Sequence, residues 1–215
     1  MKYLFTGGEA EVVIKKSRFI GHSYPVKTAE EAQAIIDANR KKYWDATHNC
    51  YAYRIGDRIL KCSDDGEPSR TAGMPILDVI TGRDIHNCLI IVTRYFGGTL
   101  LGTGGLVSAY GQGANIALDA SEILDFHDGF YVELPCTYEQ YGKINYILQQ
   151  QEVFILNTDF TDIVRLQIYC TEPQFHAVTK AVTEASSGTV AAVDIRPVRF
   201  AVRNGCIEEQ EGRDV

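Results

Sequence analysis

The spacing of hydrophobic and polar positions predicts alternating helices and strands in the first part of the chain. Residues 28–31, Thr-Ala-Glu-Glu, form a capping box, and helical spacing of apolar residues continues from there to about Tyr43. Residues 50–62 have the alternation of a β-hairpin, with Gly56-Asp57 as a two-residue turn. The chain therefore begins as a mixture of α and β elements.

The middle of the chain follows the pattern of strand, glycine loop and helix. Residues 74–80 are predicted to form a short helix, and the near-continuous apolar run at 88–93 is typical of a fully buried strand. A glycine-rich loop follows, and helical spacing then extends over about 104–120. This order places a loop of small residues between a buried strand and the start of a helix.

An internal repeat organises the second part of the chain. Residues 131–141 and 165–175 each contain a strand that leads through Cys-Thr-x-x-Gln-aromatic into a helix. The Thr and Gln of each copy form a capping box. A further strand follows each copy, at 153–156 and at 190–202. The resulting order, βαββαβ, predicts a ferredoxin-like domain.

These patterns predict an α+β protein of two domains. A length of 215 residues suits two small domains. A turn at 125–129 separates the two patterns, so we assign residues 1–128 to an N-terminal α/β domain and residues 129–215 to a ferredoxin-like C-terminal domain.

Composition and charge limit the classes of function. The net charge of −7 argues against a protein that coats duplex nucleic acid with a positive surface. No segment approaches the roughly 20 apolar residues that span a bilayer, and the first residues do not resemble a signal peptide. The six cysteines form no C-x-x-C pair, which favours free thiols in a reducing compartment. We therefore expect a cytoplasmic protein.

The glycine-rich segment is the first candidate site. Its loop and helix start direct backbone N–H groups and the helix dipole at one spot, where an anion could bind. It contains no lysine for a Walker A loop, and Val107 interrupts a G-x-G-x-x-G pattern counted from Gly102. Close packing is the alternative for the loop glycines and, as helix-on-sheet packing, for Gly111 and Gly113. The candidate residues are Arg94, Tyr95, Phe96, Gly97, Gly98, Gly102, Gly104 and Gly105.

An acidic loop and a histidine are the next candidates. Asp64, Asp65 and Glu67 could hold Mg²⁺ together with a phosphate ligand, or could belong to a solvated turn. We expect no resident cofactor, and Mg²⁺ only in company with such a ligand. His48 could act as a general base, or as a loop histidine bonded to backbone; a nucleophilic pair with Cys50 is improbable.

Cations that could assist an anion site must come from outside the glycine segment. No Lys or Arg lies between Tyr95 and Gly142, so Arg18 and Arg70 are the further binding candidates. The basic runs at 15–18 and 40–42 could contribute or could be ordinary solvated faces.

Several stretches carry a family resemblance, which covers essentially the whole chain. They are Ser17-Arg18-Phe19-Ile20, Ala46-Thr47-His48, Asp64-Asp65-Gly66-Glu67-Pro68-Ser69, Gly73, Ile91-Val92, Arg94-Tyr95-Phe96-Gly97-Gly98, Leu101-Gly102 and Gly104-Gly105-Leu106. With them the chain resembles the IMPACT/YigZ family, in its short bacterial form. It departs from the family at two positions. Members often have Gly where this chain has Arg70, and often have Lys or Arg where it has Ser108. The second difference removes a cation from the helix that follows the glycine loop.

The resemblance implies a fold for each domain. The first domain would be similar to the second domain of ribosomal small-subunit protein five, a fold shared with the fourth domain of elongation factor G and with galactokinase-type kinases. The second would be similar to the fifth domain of elongation factor G. Eukaryotic members carry an extra N-terminal domain and restrain a kinase that acts on translation initiation, a role not carried over to the short form.

The leading hypothesis is a non-enzymatic, translation-associated regulatory protein. It would bind RNA or the ribosome through the N-terminal domain, with translation-related proteins as further partners and no membrane partner. One alternative is a phosphotransferase-like enzyme that uses the glycine loop as a phosphate cradle and Arg94 as a clamp. Another is a protein-interaction module without a ligand. The fold alone does not decide among them.

Overall fold

The computed structural model describes residues 1–209, which divide into two units between Asp125 and Phe126. This division falls within the turn at 125–129 and three residues before the end of the predicted first domain. Both units combine helices with antiparallel sheet, so the α+β class with two units is confirmed. The predicted end of the second domain, residues 210–215, lies outside the described part.

The first unit contains eight strands and three helices in its described residues. In chain order they are β1 (Lys2–Thr6), β2 (Glu9–Ile14), β3 (Ser17–Pro25), α1 (Ala29–Lys42), β4 (His48–Ile55), β5 (Ile59–Ser63), α2 (Gly73–Gly82), β6 (Ile85–His86), β7 (Cys88–Tyr95), α3 (Gly102–Asp119) and β8 (Glu122–Asp125). Five strands form a sheet in the order β2-β3-β7-β4-β5, with all neighbours antiparallel. A smaller sheet has the order β6-β1-β8.

The central strand β7 is buried on both faces, which explains its unbroken apolar sequence. Ile90 and Val92 belong to a core cluster with residues of α2 and α3. Leu89 and Ile91 belong to a second cluster with residues of α1. Successive side chains of a strand point to opposite faces, so β7 joins the two hydrophobic layers of this unit. The strand ends at Tyr95, immediately before the glycine loop.

The predicted helix at 28–43 is confirmed, whereas the two-residue turn of the following hairpin is wrong. Thr28 caps α1 by accepting a hydrogen bond from the backbone N–H of Glu31 at 3.2 Å. In the hairpin, Ile55 pairs with Ile59, so the turn has three residues and includes the predicted strand residue Arg58. The N–H of Gly56 donates to the Asn87 side chain at 2.9 Å. This tertiary contact holds the wider turn.

Helix α3 begins at Gly102, two residues before the predicted start at about Gly104, so Gly104 and Gly105 lie in its first turn. Gly113 of this helix packs closely on the sheet, because a Cβ there would lie 2.9 Å from Cγ1 of Val92. At Gly111 a Cβ would meet no heavy atom within 4 Å. Close packing therefore accounts for Gly113 but not for Gly111.

Replacing Gly104 with alanine should stabilise the protein. The position is exposed and helical, and an added Cβ would meet nothing within 4 Å. Alanine in a helix is favoured over glycine by roughly 0.5–1 kcal/mol, which urea unfolding can measure. Gly98→Ala is the control, since Gly98 has φ +80° and alanine there is strained. Equal effects of the two changes would contradict this prediction.

The second unit has the predicted ferredoxin-like topology with one added strand. Its elements are β9 (His127–Cys136), α4 (Tyr138–Gln150), β10 (Phe154–Phe160), β11 (Val164–Thr171), α5 (Glu172–Ser186), β12 (Val193–Arg203) and β13 (Cys206–Glu209). The sheet order is β10-β11-β9-β12-β13. The first four strands correspond to the βαββαβ plan, and β13 extends the sheet beside β12.

The capping boxes inferred from the repeat are present at both helices of this unit. The backbone N–H of Thr137 donates to Gln140 at 3.0 Å, and that of Thr171 donates to Gln174 at 2.9 Å. Within residues 1–209 no helix is long and apolar enough to cross a membrane.

Candidate functional site

A cleft of about 470 Å³ in the first unit lies where β7 ends and α3 begins. The start of β4 and the loop at 66–68 complete its walls. The predicted site residues that line it are His48, Glu67, Arg94, Phe96 and Gly102. Sequence reasoning had assigned these five residues to three separate motifs, and the sheet brings them together.

A buried ion pair between Arg94 and Glu67 forms the floor of the cleft. Nη1 of Arg94 donates to Oε1 of Glu67 at 2.5 Å, and the two side chains are 6% and 3% exposed. The hydroxyl of Tyr110 donates to the same Oε1 at 2.7 Å, and Arg94 Nη2 donates to Ser17 Oγ at 3.4 Å. Glu67 therefore balances the charge of Arg94, which is not free to clamp a phosphate as the phosphotransferase hypothesis expected.

The guanidinium of Arg94 also lies between two aromatic rings. Its Cζ is 5.4 Å from the ring centre of Phe19 and 5.5 Å from that of Phe96. Phe19 is fully buried, whereas Phe96 is 46% exposed. Phe96 thus presents an aromatic surface at the cleft, and the buried guanidinium of Arg94 holds its ring through a cation–π contact.

His48 is held by the backbone of the acidic loop. Its Nδ1 lies 2.8 Å from the carbonyl oxygen of Asp65, and its Nε2 lies 3.9 Å from Oε1 of Glu67. A carbonyl oxygen only accepts, so Nδ1 donates, and Nε2 is the acceptor in the neutral ring. The backbone hydrogen bond expected for a loop histidine is thus present, at the first residue of β4, and Nε2 stays available as an acceptor.

Cys50 is not a nucleophile in this arrangement. Burial raises the pKa of its thiol, and Sγ donates to the carbonyl oxygen of Asp64 at 2.9 Å. The thiolate is therefore disfavoured, and a catalytic pair of Cys50 with His48 is not formed.

The three carboxylates predicted as magnesium ligands do not come together. Asp64 accepts hydrogen bonds from backbone N–H groups around the start of α2, including that of Gly73 at 2.8 Å. Asp65 accepts from Arg40 at 2.9 Å, and Glu67 faces Arg94.

The backbone of the acidic loop explains this divergence. Asp65 and Gly66 both have positive φ, of 42° and 88°. This left-handed backbone directs the carboxylates of the loop to different partners. Within residues 1–209 no three His, Cys, Asp or Glu side chains are grouped to hold a metal. The magnesium set predicted from the acidic loop is therefore not assembled here.

Three further candidates lie outside the cleft lining. Arg18 donates to both carboxylate oxygens of Glu11, at 2.8 and 2.9 Å, and lies over the ring of Tyr95. The hydroxyl of Tyr95 donates to Asp45 at 2.9 Å. Arg70 is exposed, and its backbone N–H is used to bind Asp64. None of Arg18, Tyr95 and Arg70 lines the cleft with Arg94, contrary to the predicted grouping.

The glycine loop leaves the start of α3 uncapped. Leu101 occupies the N-cap position and makes no side-chain hydrogen bond, and the first turn contains no acidic residue. Gly98 has a φ of +80°, which is a backbone region that favours glycine. The first N–H groups of a helix have no partner within it, so this end favours an anion. Gly102 and Thr103 of this turn line the cleft beside Phe96.

A strained turn of two lysines adjoins this loop. Ile14 pairs with Ser17, so Lys15 and Lys16 alone connect β2 to β3, with φ of 45° and 69°. Each such conformation in a non-glycine residue costs about 1–3 kcal/mol. Gly97 lies directly on this turn, since a Cβ at Gly97 would overlap the backbone carbonyl of Lys16.

Ser17, Thr47 and Tyr110 were missed as members of the site. Ser17 Oγ accepts from the N–H of Gly97 at 3.1 Å, and Thr47 Oγ1 accepts from that of Phe96 at 3.0 Å. Ser17 and Thr47 do belong to the stretches that carried the family resemblance, which was the available signal. Tyr110 gave no signal beyond its position in the predicted helix.

Comparison with known proteins places this chain in a family. Residues 15–118 match the Impact N-terminal domain, and residues 134–189 match a domain of unknown function, DUF1949. The IMPACT family member YvyE of Bacillus subtilis is 39% identical over 84% of this chain and 84% of its own length. The chain belongs to the IMPACT family.

Other similarities agree with this assignment. The IMPACT family member YigZ of Escherichia coli is 39% identical over 72% of this chain and 78% of its own length. A crystal structure described as that of an hypothetical protein is 33% identical, covers 91% of this chain and 97% of its own, and has a TM-score of 0.56. The cleft of this IMPACT family protein lies wholly within the residues that match the Impact N-terminal domain.

Proposed function

We propose that this IMPACT family protein is a translation-associated regulatory protein that binds single-stranded RNA, free or on the ribosome, in the cleft of its first unit. The observation that carries the proposal is an exposed aromatic ring, Phe96, beside the uncapped start of α3. A base can stack on such a ring, and a phosphate can meet the helix N–H groups. Membership of the IMPACT family supports the link to translation, because the family resemblance implies folds similar to modules of a translation elongation factor.

The size and charge of the cleft suit one nucleotide of a flexible strand. A volume of about 470 Å³ is within the usual range for small-ligand sites. Because Glu67 offsets Arg94 and the whole chain carries −7, only a local contact with few phosphates is favourable. We expect a shallow salt dependence, equivalent to about 2–4 neutralised phosphates.

Enzymatic phosphoryl transfer is less well supported. It would need a free cation and grouped carboxylates at the cleft, whereas Arg94 binds Glu67 and Asp64 binds the start of α2. We therefore propose a non-enzymatic role. Translation-related proteins remain proposed partners, and the free thiols of all six cysteines support a cytoplasmic location.

Phe96→Ala should weaken RNA binding without unfolding the protein. Loss of one stacked base is worth about 1–3 kcal/mol, or roughly a 5- to 150-fold loss of affinity. Fluorescence anisotropy with a short labelled single-stranded RNA measures it. Tyr146→Ala is the matched control, because Tyr146 is an exposed aromatic residue of the second unit.

Two results would contradict this proposal. Failure of the folded wild-type protein to bind RNA would favour a protein segment as the occupant of the cleft. Such an occupant would use exposed apolar side chains at the cleft, such as Leu100, which is 83% exposed. Wild-type affinity in the Phe96→Ala protein would place the RNA site elsewhere.

A further inference from the structure

The turn between β2 and β3 has a sequence that its backbone does not favour. Lys15 and Lys16 are its only residues, and both have positive φ. Two-residue turns of this kind favour Asn-Gly, because asparagine and glycine adopt positive φ readily. Lysine at both positions suggests that the side chains, and not the turn geometry, determine the sequence here.

The turn is fixed against the loop that forms the cleft. Gly97 packs on the backbone of Lys16, and its N–H donates to Ser17 Oγ at 3.1 Å. Ser17 Oγ also accepts from Arg94 on the cleft floor, at 3.4 Å. Gly97 directly follows Phe96, so the backbone of Lys16 lies against the residue next to the aromatic residue of the cleft.

The two lysines are uncompensated cations. Both are exposed, and neither forms an ion pair with any residue in the range 1–209. By contrast, Arg18 pairs with Glu11 and Arg94 pairs with Glu67. The segment from Tyr95 to Gly142 supplies no Lys or Arg. The turn therefore brings free positive charge to a glycine loop that has none.

We propose that Lys15 and Lys16 contact backbone phosphates of the single-stranded RNA whose base occupies the cleft. This inference rests on the proposed RNA binding and adds the element that holds the strand. The lysines act as point charges on flexible stems, so they bind the backbone without reading its sequence.

The double variant Lys15→Asn/Lys16→Gly tests the inference. It gives the turn its favoured sequence and removes both cations, so the melting temperature should rise while RNA affinity falls about tenfold at low salt. The slope of log affinity against log salt should become shallower by about 1.4, since each single-strand phosphate contributes roughly 0.7.

A charge-matched control is Lys27→Asn/Lys61→Asn. Both lysines are exposed. Lys27 follows the far end of β3, about 30 Å from the turn when each strand residue spans ~3.3 Å. Lys61 lies on β5, at the opposite edge of the sheet. This variant loses the same net charge but should keep the wild-type salt slope, because both lysines are remote from the β2–β3 turn.

The possible outcomes separate the two proposals. If Phe96→Ala loses binding while Lys15→Asn/Lys16→Gly keeps wild-type affinity and slope, the cleft binds RNA and the turn does not. A loss of affinity with an unchanged slope also overturns the inference, since it indicates a structural effect. Absence of RNA binding by the wild-type protein overturns both proposals.

Discussion

Replacing Arg94 with methionine should lower the free energy of unfolding by about 3–5 kcal/mol. Methionine fills much of the same volume but leaves Glu67 as a buried carboxylate without its cation, while Tyr110 still donates to it. Urea unfolding at neutral pH measures the loss.

Two further variants make this test specific. Arg18→Met removes an exposed pair with Glu11 and should cost less than about 1 kcal/mol. The double variant Arg94→Met/Glu67→Gln should recover part of the stability, because the uncompensated charge is gone. A loss for Arg94→Met no larger than that for Arg18→Met would show that Glu67 relaxes into solvent and that the cleft floor is not rigid.

Gly97→Ala should be the most damaging change in the glycine loop. The added Cβ would overlap the backbone of Lys16, which cannot move without shifting the whole β2–β3 turn. We expect a loss at the upper end of the about 1–3 kcal/mol typical of overpacking, with a lower melting temperature. The hydrogen bond from Gly97 to Ser17 would be disturbed as well.

Gly104→Ala is the control for this change, because the same methyl group enters open space there. The two variants should move the melting temperature in opposite directions. If Gly97→Ala keeps wild-type stability, the lysine turn is not fixed on the glycine loop, and the position inferred for its cations would be wrong.

Local signals made the second unit predictable. Short-range capping pairs mark the start of each helix in the sequence: Thr137 with Gln140, and Thr171 with Gln174. Their repetition also gave the order of strands and helices, from which the ferredoxin-like arrangement follows. The extra strand β13 was missed, because its four residues have little pattern of their own and depend on pairing with β12.

Long-range contacts limited the prediction of the site. The glycine loop, Arg94 and His48 were identified from sequence, and the sheet does place Arg94 opposite His48 in the register of β7 and β4. Which carboxylate of the acidic loop turns inward depends on left-handed backbone at Asp65 and Gly66, which the sequence does not reveal. Glu67 was therefore grouped with two aspartates that serve other contacts.

The lysine turn shows a related limit. The basic run at 15–18 was visible in the sequence, but its position depends on a contact between residues 16 and 97. Nothing local to the run distinguishes a functional cation from a solvated one. Only the fold shows that Arg18 is paired with Glu11, while the two lysines before it form no ion pair within residues 1–209.

The small sheet of the first unit has a consequence for synthesis of the chain. Strand β1 is synthesised before both of its partners, β6 and β8, and the pairing with β8 joins residues more than 100 positions apart. At about 5–20 residues per second, β8 is made roughly 6–24 s after β1. Tyr3 and Leu4 are only 5% and 4% exposed in the folded protein, so their complete burial is delayed until β8 has been made. The edge of β1 that pairs with β8 therefore stays open until nearly all of the first unit has left the ribosome, although its other edge can pair with β6 earlier.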